Sequence, residues 1–209
     1  MKLSVVGCGY LGAVHAAAMA SIGHDVVGID VDANKIAQLA RGEAPFFEPE
    51  LAELLTAGIE SGRLTFTTDM SAAFGAKVHF IGVGTPQQKD GYAADLTYVN
   101  AAVDGLLAYL NPGDVVAGKS TVPVGTAAGL TPRVVAVGAT LVWNPEFLRE
   151  GWAVQDTIDP DRLVAGVPTD VSTGSTTAEG ARAADVLREV YHPAIGKGTP
   201  FIVTDLATA

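Results

Sequence analysis

Three glycines near the start of the chain have the spacing of a phosphate-binding turn. Gly7, Gly9 and Gly12 follow the apolar run KLSVV and overlap the start of an alanine-rich segment, AVHAAAMASIG. Glycines at this spacing let the backbone turn sharply and approach a pyrophosphate, and the helix that follows offers free N–H groups to the phosphates. Asp30 ends the second apolar run, DVVGID, near the distance at which an acid binds the adenosine ribose hydroxyls. The pattern predicts dinucleotide binding, and its strand and helix context disfavours a glycine-rich turn without a ligand.

Hydroxyl side chains stand at the ends of two further apolar runs. Thr85 follows the run 78–83, and Ser120 and Thr121 follow the run 115–119. In a doubly wound sheet, ligands bind at the carboxyl ends of the strands. Each segment alone has a plain structural explanation, as a turn or as a capped helix. Their position after successive strands favours a binding site.

The segment NPEFLREG carries a dense group of charges after the apolar run TLVW. Its Asn-Pro start predicts a helical turn that leaves Glu146, Arg149 and Glu150 together at the crevice. The alternative is a solvated, charged helix face. A carboxylate at this position could act as a general base, and the neighbouring Phe147 and Leu148 would raise its pKa by partial desolvation.

The elements that would hold these groups alternate between apolar runs and helical patterns. This alternation predicts an α/β protein with a Rossmann-like, doubly wound, mainly parallel sheet and helices on both faces. The predicted strands are 3–6, 26–29, 64–67, 78–83, 115–119, 140–143, 162–165 and 201–203. Besides the helix after the glycine turn, the predicted helices include 34–41, 49–60, 96–110 and 179–190. Thr176 and Glu179 have the spacing of a capping box for the last of these.

Composition narrows the classes of partner. The chain has 209 residues, 48% hydrophobic and 17% charged, with a formal net charge of -10, which disfavours nucleic acids and anionic membrane surfaces. The first apolar run belongs to the fold rather than to a leader or a membrane span, so we expect a cytoplasmic protein. Cys8 is the single cysteine, which excludes an internal disulfide and a multi-cysteine zinc cluster. No metal site is expected, because the histidines are scattered through unrelated segments: His15, His24, His79 and His192.

Five motifs, in this order, carry a resemblance to a known family: GCGYLG, VGTPQ, KSTVPVGT, NPEFLREG and DPDRLVAG. They resemble the N-terminal domain of the UDP-glucose 6-dehydrogenase family, within the nucleotide-sugar dehydrogenases, over essentially the whole chain. The resemblance implies oxidation of a sugar C6 alcohol to a carboxylate by two successive hydride transfers to NAD. DPDRLVAG favours UDP-glucose as the substrate. The alternatives are a dehydrogenase of GDP-mannose or UDP-N-acetylhexosamines, a non-catalytic NAD-binding module, and a β-hydroxyacid dehydrogenase.

The resemblance also implies which residues bind the cofactor. The pyrophosphate turn would comprise five of them: Gly7, Gly9, Tyr10, Leu11 and Gly12. Leu11 departs from the commoner valine, a change of bulk that leaves the backbone role intact. The adenosine ribose would be bound by Asp30 and Lys35. Contacts toward the nicotinamide would come from Thr85, Thr121 and Glu150.

For catalysis, the resemblance implies that Glu146 activates water during hydrolysis of a thioester, with Thr121 positioning that water. The substrate site would be lined by Glu146 and its neighbours Phe147, Leu148, Arg149 and Glu150. The family's catalytic cysteine belongs to a GGxC-type motif of a second domain. Cys8 cannot take this role, because it lies inside the phosphate-binding turn, where we expect a small packed side chain.

The same resemblance implies a domain division. Residues 1–204 would form the dinucleotide-binding domain, and residues 205–209 would begin a connecting helix with Thr204 and Asp205 near its N-cap. The substrate-binding domain, with its cysteine and a lysine and an asparagine of the connecting helix, is not part of this sequence. We therefore expect this chain alone to be inactive. The full-length protein is expected to be a homodimer, and a monomeric state stays open for this chain.

Overall fold

The strands form one mixed sheet whose order matches a doubly wound fold. The computed structural model describes residues 1–89, 91–170 and 172–209. Within these residues the sheet has eight strands in the order β3-β2-β1-β4-β5-β6-β7-β8. The strands are β1 (Lys2–Val6), β2 (Asp25–Ile29), β3 (Leu64–Thr67), β4 (Val78–Ile81), β5 (Val115–Gly118), β6 (Thr140–Trp143), β7 (Leu163–Val167) and β8 (Phe201–Asp205).

Neighbouring strands are parallel from β3 through β6, and β7 pairs with β6 in the antiparallel direction. β8 is parallel to β7. The carboxyl ends of β1 to β6 therefore lie at one edge of the sheet, which is where the predicted site residues follow their strands.

Helices cover both faces of the sheet. They are α1 (Tyr10–Ser21), α2 (Ala33–Leu39), α3 (Leu51–Glu60), α4 (Thr97–Leu106), α5 (Thr126–Ala136), α6 (Ala153–Ile158), α7 (Ala178–Val190) and α8 (His192–Gly196). Since successive strand residues point to opposite faces, Val5 packs into a core with α1, α3 and α7, and Val6 packs into a second core with α4 and α5. The predicted fold class is confirmed.

Several element boundaries differ from the predictions. The strand predicted over 115–119 ends at Gly118, so Lys119 lies just beyond β5, and the strand predicted over 78–83 ends at Ile81. The predicted helix 96–110 is α-helical to Leu106 and continues as a short 3-10 helix. The capping box was assigned to the wrong residue: the Thr177 hydroxyl accepts the N–H of Gly180 at 3.0 Å and caps α7.

At the end of the chain, β8 extends to Asp205, and its Oδ1 atom accepts the N–H groups of Ala207 and Thr208 at 2.9 and 2.8 Å. This contact is typical of a helix N-cap. The predicted division at residue 204 stays a prediction. Among the described residues, no helix combines the length and the apolar character needed to cross a membrane.

Candidate functional site

The glycine turn between β1 and α1 requires glycine at two positions. Gly7 has a φ of +91°, and a Cβ atom there would lie 2.6 Å from Val83 Cγ1. A Cβ atom on Gly12 would lie 1.7 Å from the Gly7 carbonyl oxygen, so only glycine lets α1 pack this closely. Above Gly9, by contrast, no described atom lies within 4 Å of the Cβ position. Gly9 is the N-cap of α1, so the N–H groups of the first turn face open space and can donate to a phosphate.

Asp30 follows β2 and is held by three hydrogen bonds. Its Oδ2 atom accepts the Cys8 N–H at 2.8 Å and Lys35 Nζ at 2.9 Å, and its Oδ1 atom accepts the Asp32 N–H at 3.0 Å. Burial by itself would raise the pKa of Asp30, but these hydrogen bonds hold that pKa below its ordinary value. The carboxylate is ionised at neutral pH, and Oδ1 and Lys35 retain hydrogen-bonding capacity for ribose hydroxyls.

A cavity of about 580 Å³ lies beside this turn and is called here the dinucleotide groove. One end of the groove is formed by the backbone of Gly7 and Gly9 and by the charged side chains of Asp30 and Lys35. The remaining walls are largely apolar and include Ile29, Val31, Met70, Tyr98 and Ala101. A polar end joined to apolar walls suits a ribose and a planar base. The groove therefore brings together the glycine turn and the predicted ribose contacts.

Tyr10 and Leu11 reach other parts of the fold with their side chains. The Tyr10 hydroxyl donates to Glu48 Oε2, and its ring packs against Phe46 with the ring centroids 4.9 Å apart. The side chain of Leu11 packs beside Gly82, where an added Cβ atom would meet Leu11 Cδ2 at 3.1 Å. In the predicted phosphate turn these two residues can contribute only their backbone N–H groups.

The segment NPEFLREG is not helical, contrary to the prediction, and α6 begins only at Ala153. The physical reason is that Asn144 is buried and its side chain is used elsewhere: Nδ2 donates to the Val164 carbonyl at 2.8 Å. The segment leaves β6 in an extended path. It borders a second cavity of about 190 Å³, called here the charged pocket.

The charged pocket gathers side chains from distant segments. Four predicted substrate-site residues line it, namely Glu146, Phe147, Leu148 and Arg149. The further lining residues are His15, Lys119, Asn144, Pro145, Asp156, Thr157, Pro160, Asp161, Arg162, Leu163 and Tyr191. Of the predicted set, Glu150 is exposed and lies outside the residues that line either cavity.

Arg149 and Arg162 shape opposite sides of this pocket. Arg149 donates from Nε and Nη2 to the two oxygens of Asp156 at 3.0 and 2.6 Å, which lowers the pKa of that carboxyl. The Arg162 guanidinium carbon lies 4.1 Å from the ring centroid of Phe147. Arg149 is thus held by a carboxylate, whereas Arg162 stacks on an aromatic face.

Glu146 forms an ion pair with Lys119, a residue that the sequence reasoning did not assign. Lys119 is only 4% exposed, and its ammonium contacts Glu146 Oε1. An adjacent ammonium favours the ionised carboxylate, which opposes the expected effect of Phe147 and Leu148. The available signal was a lysine at the end of a buried apolar run, since lysine is almost never fully buried without a partner.

Thr85 and Thr121 join the ends of β4 and β5. The Thr85 hydroxyl donates to the Thr121 carbonyl at 2.8 Å, and the Ser120 hydroxyl donates to the Val83 carbonyl at 2.6 Å. Neither threonine is among the residues that line the two cavities. They lie on the same edge of the sheet, so the structure brings them near the strand ends without joining them to either cavity.

Glu48 is a second buried charge that the sequence reasoning missed. It is 6% exposed, and its carboxylate accepts the Tyr10 hydroxyl and the N–H groups of Gly151 and Ala153 at 2.9 and 2.8 Å. Burial opposes ionisation, but these hydrogen bonds hold the pKa of Glu48 below its ordinary value. Glu48 thereby caps α6 and ties the glycine turn to the end of NPEFLREG.

Cys8 is buried, as expected, and burial raises the pKa of its thiol well above the ordinary value. Such a thiol is a poor nucleophile. Among the described residues, no group of three or more histidine, cysteine, aspartate or glutamate side chains could hold a metal ion.

The doubly wound sheet, the glycine turn and the acid after β2 define a dinucleotide-binding domain. A family model described as the UDP-glucose/GDP-mannose dehydrogenase family, NAD binding domain, matches residues 1–195. The chain belongs to this family and is its NAD-binding domain, which confirms the resemblance and the cofactor inferred from the sequence.

Several named dehydrogenases are similar to this chain over all or nearly all of its length. It is 43% identical to a UDP-glucose 6-dehydrogenase of Rhizobium meliloti over all of this chain and 47% of the relative. A UDP-glucose dehydrogenase structure from Pyrobaculum islandicum matches 99% of this chain and 46% of its own, with 37% identity and a TM-score of 0.86. A GDP-mannose dehydrogenase structure from Pseudomonas aeruginosa matches 100% of this chain and 47% of its own, with 31% identity and a TM-score of 0.87. The chain therefore spans about half the length of these relatives.

Proposed function

We propose that this chain is the cofactor-binding part of a UDP-glucose 6-dehydrogenase, which oxidises the sugar C6 alcohol to a carboxylate with two NAD. The observation that carries the proposal is the Glu146 carboxyl group that lines the charged pocket and contacts Lys119, on the same sheet edge as the glycine turn. A protein that only sensed NAD would have no use for a base there. UDP-glucose is favoured over GDP-mannose by the 43% identity to the Rhizobium relative, compared with 31% to the GDP-mannose enzyme.

The residues of the groove suit NAD. NAD supplies a hydride acceptor for the alcohol and for the aldehyde oxidation level. The first-turn N–H groups beside Gly9 would bind its pyrophosphate, and Asp30 with Lys35 would bind the adenosine ribose. The strand ends of β4 and β5, which carry Thr85 and Thr121, would extend the binding surface toward the reactive end, where Glu150 would also lie.

Glu146 would act as the general base of the final hydrolysis. Its carboxylate would take a proton from a water molecule while the water oxygen bonds to the acyl carbon of a thioester on the second domain's cysteine. Thr121 would position this water. Phe147, Leu148, Arg149 and Glu150 would line the substrate side of the same site.

The test uses Glu146→Gln in the protein that joins this chain to its second domain. Glutamine keeps the shape and removes the base, so both hydride transfers should proceed and the acyl enzyme should accumulate. With NAD and UDP-glucose we expect a burst of NADH equal to the number of active sites, then a slow steady state. Intact-protein mass spectrometry should detect the sugar on the cysteine.

The matched control is Glu150→Gln, which should mainly weaken cofactor or substrate binding and give no burst. If Glu146→Gln bound both ligands normally and gave neither burst nor adduct, Glu146 would have to act before the thioester forms. Replacing UDP-glucose by GDP-mannose in the unmodified protein tests the substrate: faster turnover of GDP-mannose would overturn that part of the proposal.

The chain by itself should not turn over UDP-glucose, because the nucleophile is proposed to lie in the second domain and residues that act as a unit lose nearly all activity when one is removed. Turnover above that of a Cys8→Ala variant would show that the cysteine is misassigned.

A further inference from the structure

A buried polar cluster lies beneath Glu146 and has no part in the function proposed above. Lys119 is its centre, and Asn144, Tyr191 and His15 surround the amino group. All four are buried, from His15 and Asn144 at 1% exposed to Lys119 at 4%. A lysine enclosed in this way requires an explanation, because its charge is costly to bury without partners.

Three uncharged oxygens lie within hydrogen-bond distance of Lys119 Nζ, one of them the Asn144 carbonyl oxygen at 3.4 Å. Nζ lies 3.0 Å from Asn144 Oδ1 and 3.3 Å from the Tyr191 hydroxyl. The Tyr191 hydroxyl donates to Asn144 Oδ1 at 2.6 Å, so its oxygen is available to accept from Lys119. Asn144 Nδ2 donates to the Val164 carbonyl, which fixes which end of the amide faces the lysine.

Nζ also contacts Glu146 Oε1, a buried oxygen that has no hydrogen-bond partner among the described residues. An ammonium group turned toward this oxygen would supply the missing N–H donor. A neutral amine could keep its N–H bonds to Asn144 and Tyr191 and present its lone pair to Glu146. The same surroundings can therefore serve both protonation states of Lys119.

We propose that Lys119 is a positioning residue that orients Glu146 and receives its proton, a role that rests on the hydrolytic function proposed above. The water O–H bond breaks as its proton bonds to Glu146 and its oxygen bonds to the acyl carbon. The C–S bond of the tetrahedral adduct then breaks, so the cysteine leaves as a thiolate and the sugar leaves as its carboxylic acid, which ionises in solvent. The proton then passes from the Glu146 carboxyl to the lone pair of Lys119. This step regenerates the carboxylate and leaves an ammonium group, which loses the proton to solvent through the pocket before the next cycle.

The surroundings of Lys119 support proton exchange at neutral pH. Burial lowers the pKa of Lys119 to about 7. Burial also lowers the pKa of His15 well below its ordinary value and raises that of the Tyr191 phenol, so both stay uncharged. The other charged groups that line the pocket are Arg149, which pairs with Asp156, then Asp161, and Arg162, which stacks on Phe147.

The first experiment measures the ionisation of Lys119 directly in the 209-residue chain. Lysine labelled with ¹³C at Cε is titrated by NMR, with Lys119 assigned through the backbone and confirmed by Lys119→Met. We expect a midpoint near neutral pH, and in Glu146→Gln a midpoint lower by about one unit, because the carboxylate that favours the ammonium has been removed. A midpoint near that of ordinary lysines, or one that Glu146→Gln leaves unchanged, would overturn the proposal.

The second experiment uses Lys119→Met in the two-domain protein, because methionine matches the length of lysine and carries no proton. The NADH burst should remain, hydrolysis of the acyl enzyme should slow about 100-fold, and its pH profile should lose the inflection near neutral pH. Unchanged hydrolysis with an unchanged profile would contradict the relay. A merely structural lysine would alter folding or NAD affinity and leave the inflection in place.

The two proposals fail separately. If Glu146→Gln accumulates no acyl enzyme, the hydrolytic function is wrong whatever Lys119 does. If Glu146→Gln accumulates acyl enzyme but leaves the titration midpoint of Lys119 unchanged, only the proposed proton transfer from Glu146 to Lys119 is wrong. Should Lys119→Met fail to fold, the titration of the unmodified chain and of Glu146→Gln decides the question.

Discussion

The dinucleotide groove is bounded mainly by backbone and apolar side chains, with its charged residues at one end, whereas the charged pocket gathers many ionisable side chains from distant parts of the chain. The groove is about three times larger, about 580 Å³ against about 190 Å³. In the groove, Asp30 is paired with Lys35 five residues away. In the pocket, Lys119 reaches Tyr191 across 72 residues.

This difference supports the separate roles proposed for the two regions. A groove made of glycine backbone and apolar walls gives shape and N–H donors, which is what a large cofactor requires. A pocket of paired charges can hold and move protons, which is what hydrolysis requires. Substitutions that change the shape of the groove without changing its charge, or the reverse, test these separate roles.

The largest effect on the groove is expected from Gly12→Ala. The new methyl group would lie 1.7 Å from a backbone oxygen that cannot move aside, so we expect a loss of about 3 kcal/mol in the free energy of unfolding and loss of NAD binding. Urea denaturation and calorimetric titration measure the two. The matched control is Gly9→Ala, where φ is -69° and the space is open.

Gly9→Ala should change the free energy of unfolding by less than about 1 kcal/mol. It should nevertheless weaken NAD binding, because the methyl group enters the space proposed for the pyrophosphate. If Gly9→Ala bound NAD as well as the unmodified chain, the phosphates would not lie over this turn. If Gly12→Ala were as stable as Gly9→Ala, the close contact between α1 and Gly7 would be wrong.

A smaller effect is expected from the charge at the ribose end of the groove. Asp30 should repel the 2′-phosphate of NADP and accept ribose hydroxyls, so the chain should prefer NAD. Asp30→Ala should weaken NAD binding about 10- to 100-fold, which is the range of one or two hydrogen bonds to a charged group. It should also narrow the preference for NAD over NADP. Calorimetry with both cofactors measures this.

The control for Asp30 is Asp25→Ala, which removes the same side chain from an exposed pair with Arg63 and should leave both affinities unchanged. Equal or tighter binding of NADP by the unmodified chain would rule out the role of Asp30.

The smallest effect concerns Glu48, which joins the two regions. Its pKa is lower in the folded protein than in the unfolded chain, so its stabilisation is fully present above the unfolded value of about 4.3 and is lost as the pH falls through the folded value. Glu48→Gln should cost about 1 to 3 kcal/mol at pH 7, and the difference should shrink below about pH 4.

Thermal unfolding across pH measures this difference, with the exposed Glu43→Gln as the control, since Glu43 pairs only with the neighbouring Arg41. A cost that stayed constant down to pH 3 would show that Glu48 acts through shape rather than through its charge. Equal effects of the two variants would show that the tie between Tyr10 and α6 contributes nothing.

The groove could be predicted in detail because its signals are local. The glycine spacing, the apolar runs and Asp30 fall within one strand-helix-strand unit, and strand ends on one edge follow from a parallel sheet. The prediction was weaker where side chains compete for partners. Tyr10 stays predicted at the phosphate turn through its backbone N–H, but the sequence did not indicate that its hydroxyl donates to Glu48. NPEFLREG was expected to open a helix, but the burial of Asn144 prevents it from capping one.

The sequence by itself determined the doubly wound fold, the dinucleotide-binding turn and the charged character of the segment that holds Glu146, because each depends on periodicity or on spacing within a short stretch. The family was indicated by the resemblance of five motifs rather than by periodicity. Only the tertiary structure decided which charged and polar side chains come into contact. Lys119, Asn144, Glu146 and Tyr191 lie in three separate segments, and nothing in their spacing brings them together. The fold brings Tyr191, which follows α7, against the residues that follow β5 and β6, and burial then lowers the pKa of Lys119 to about 7.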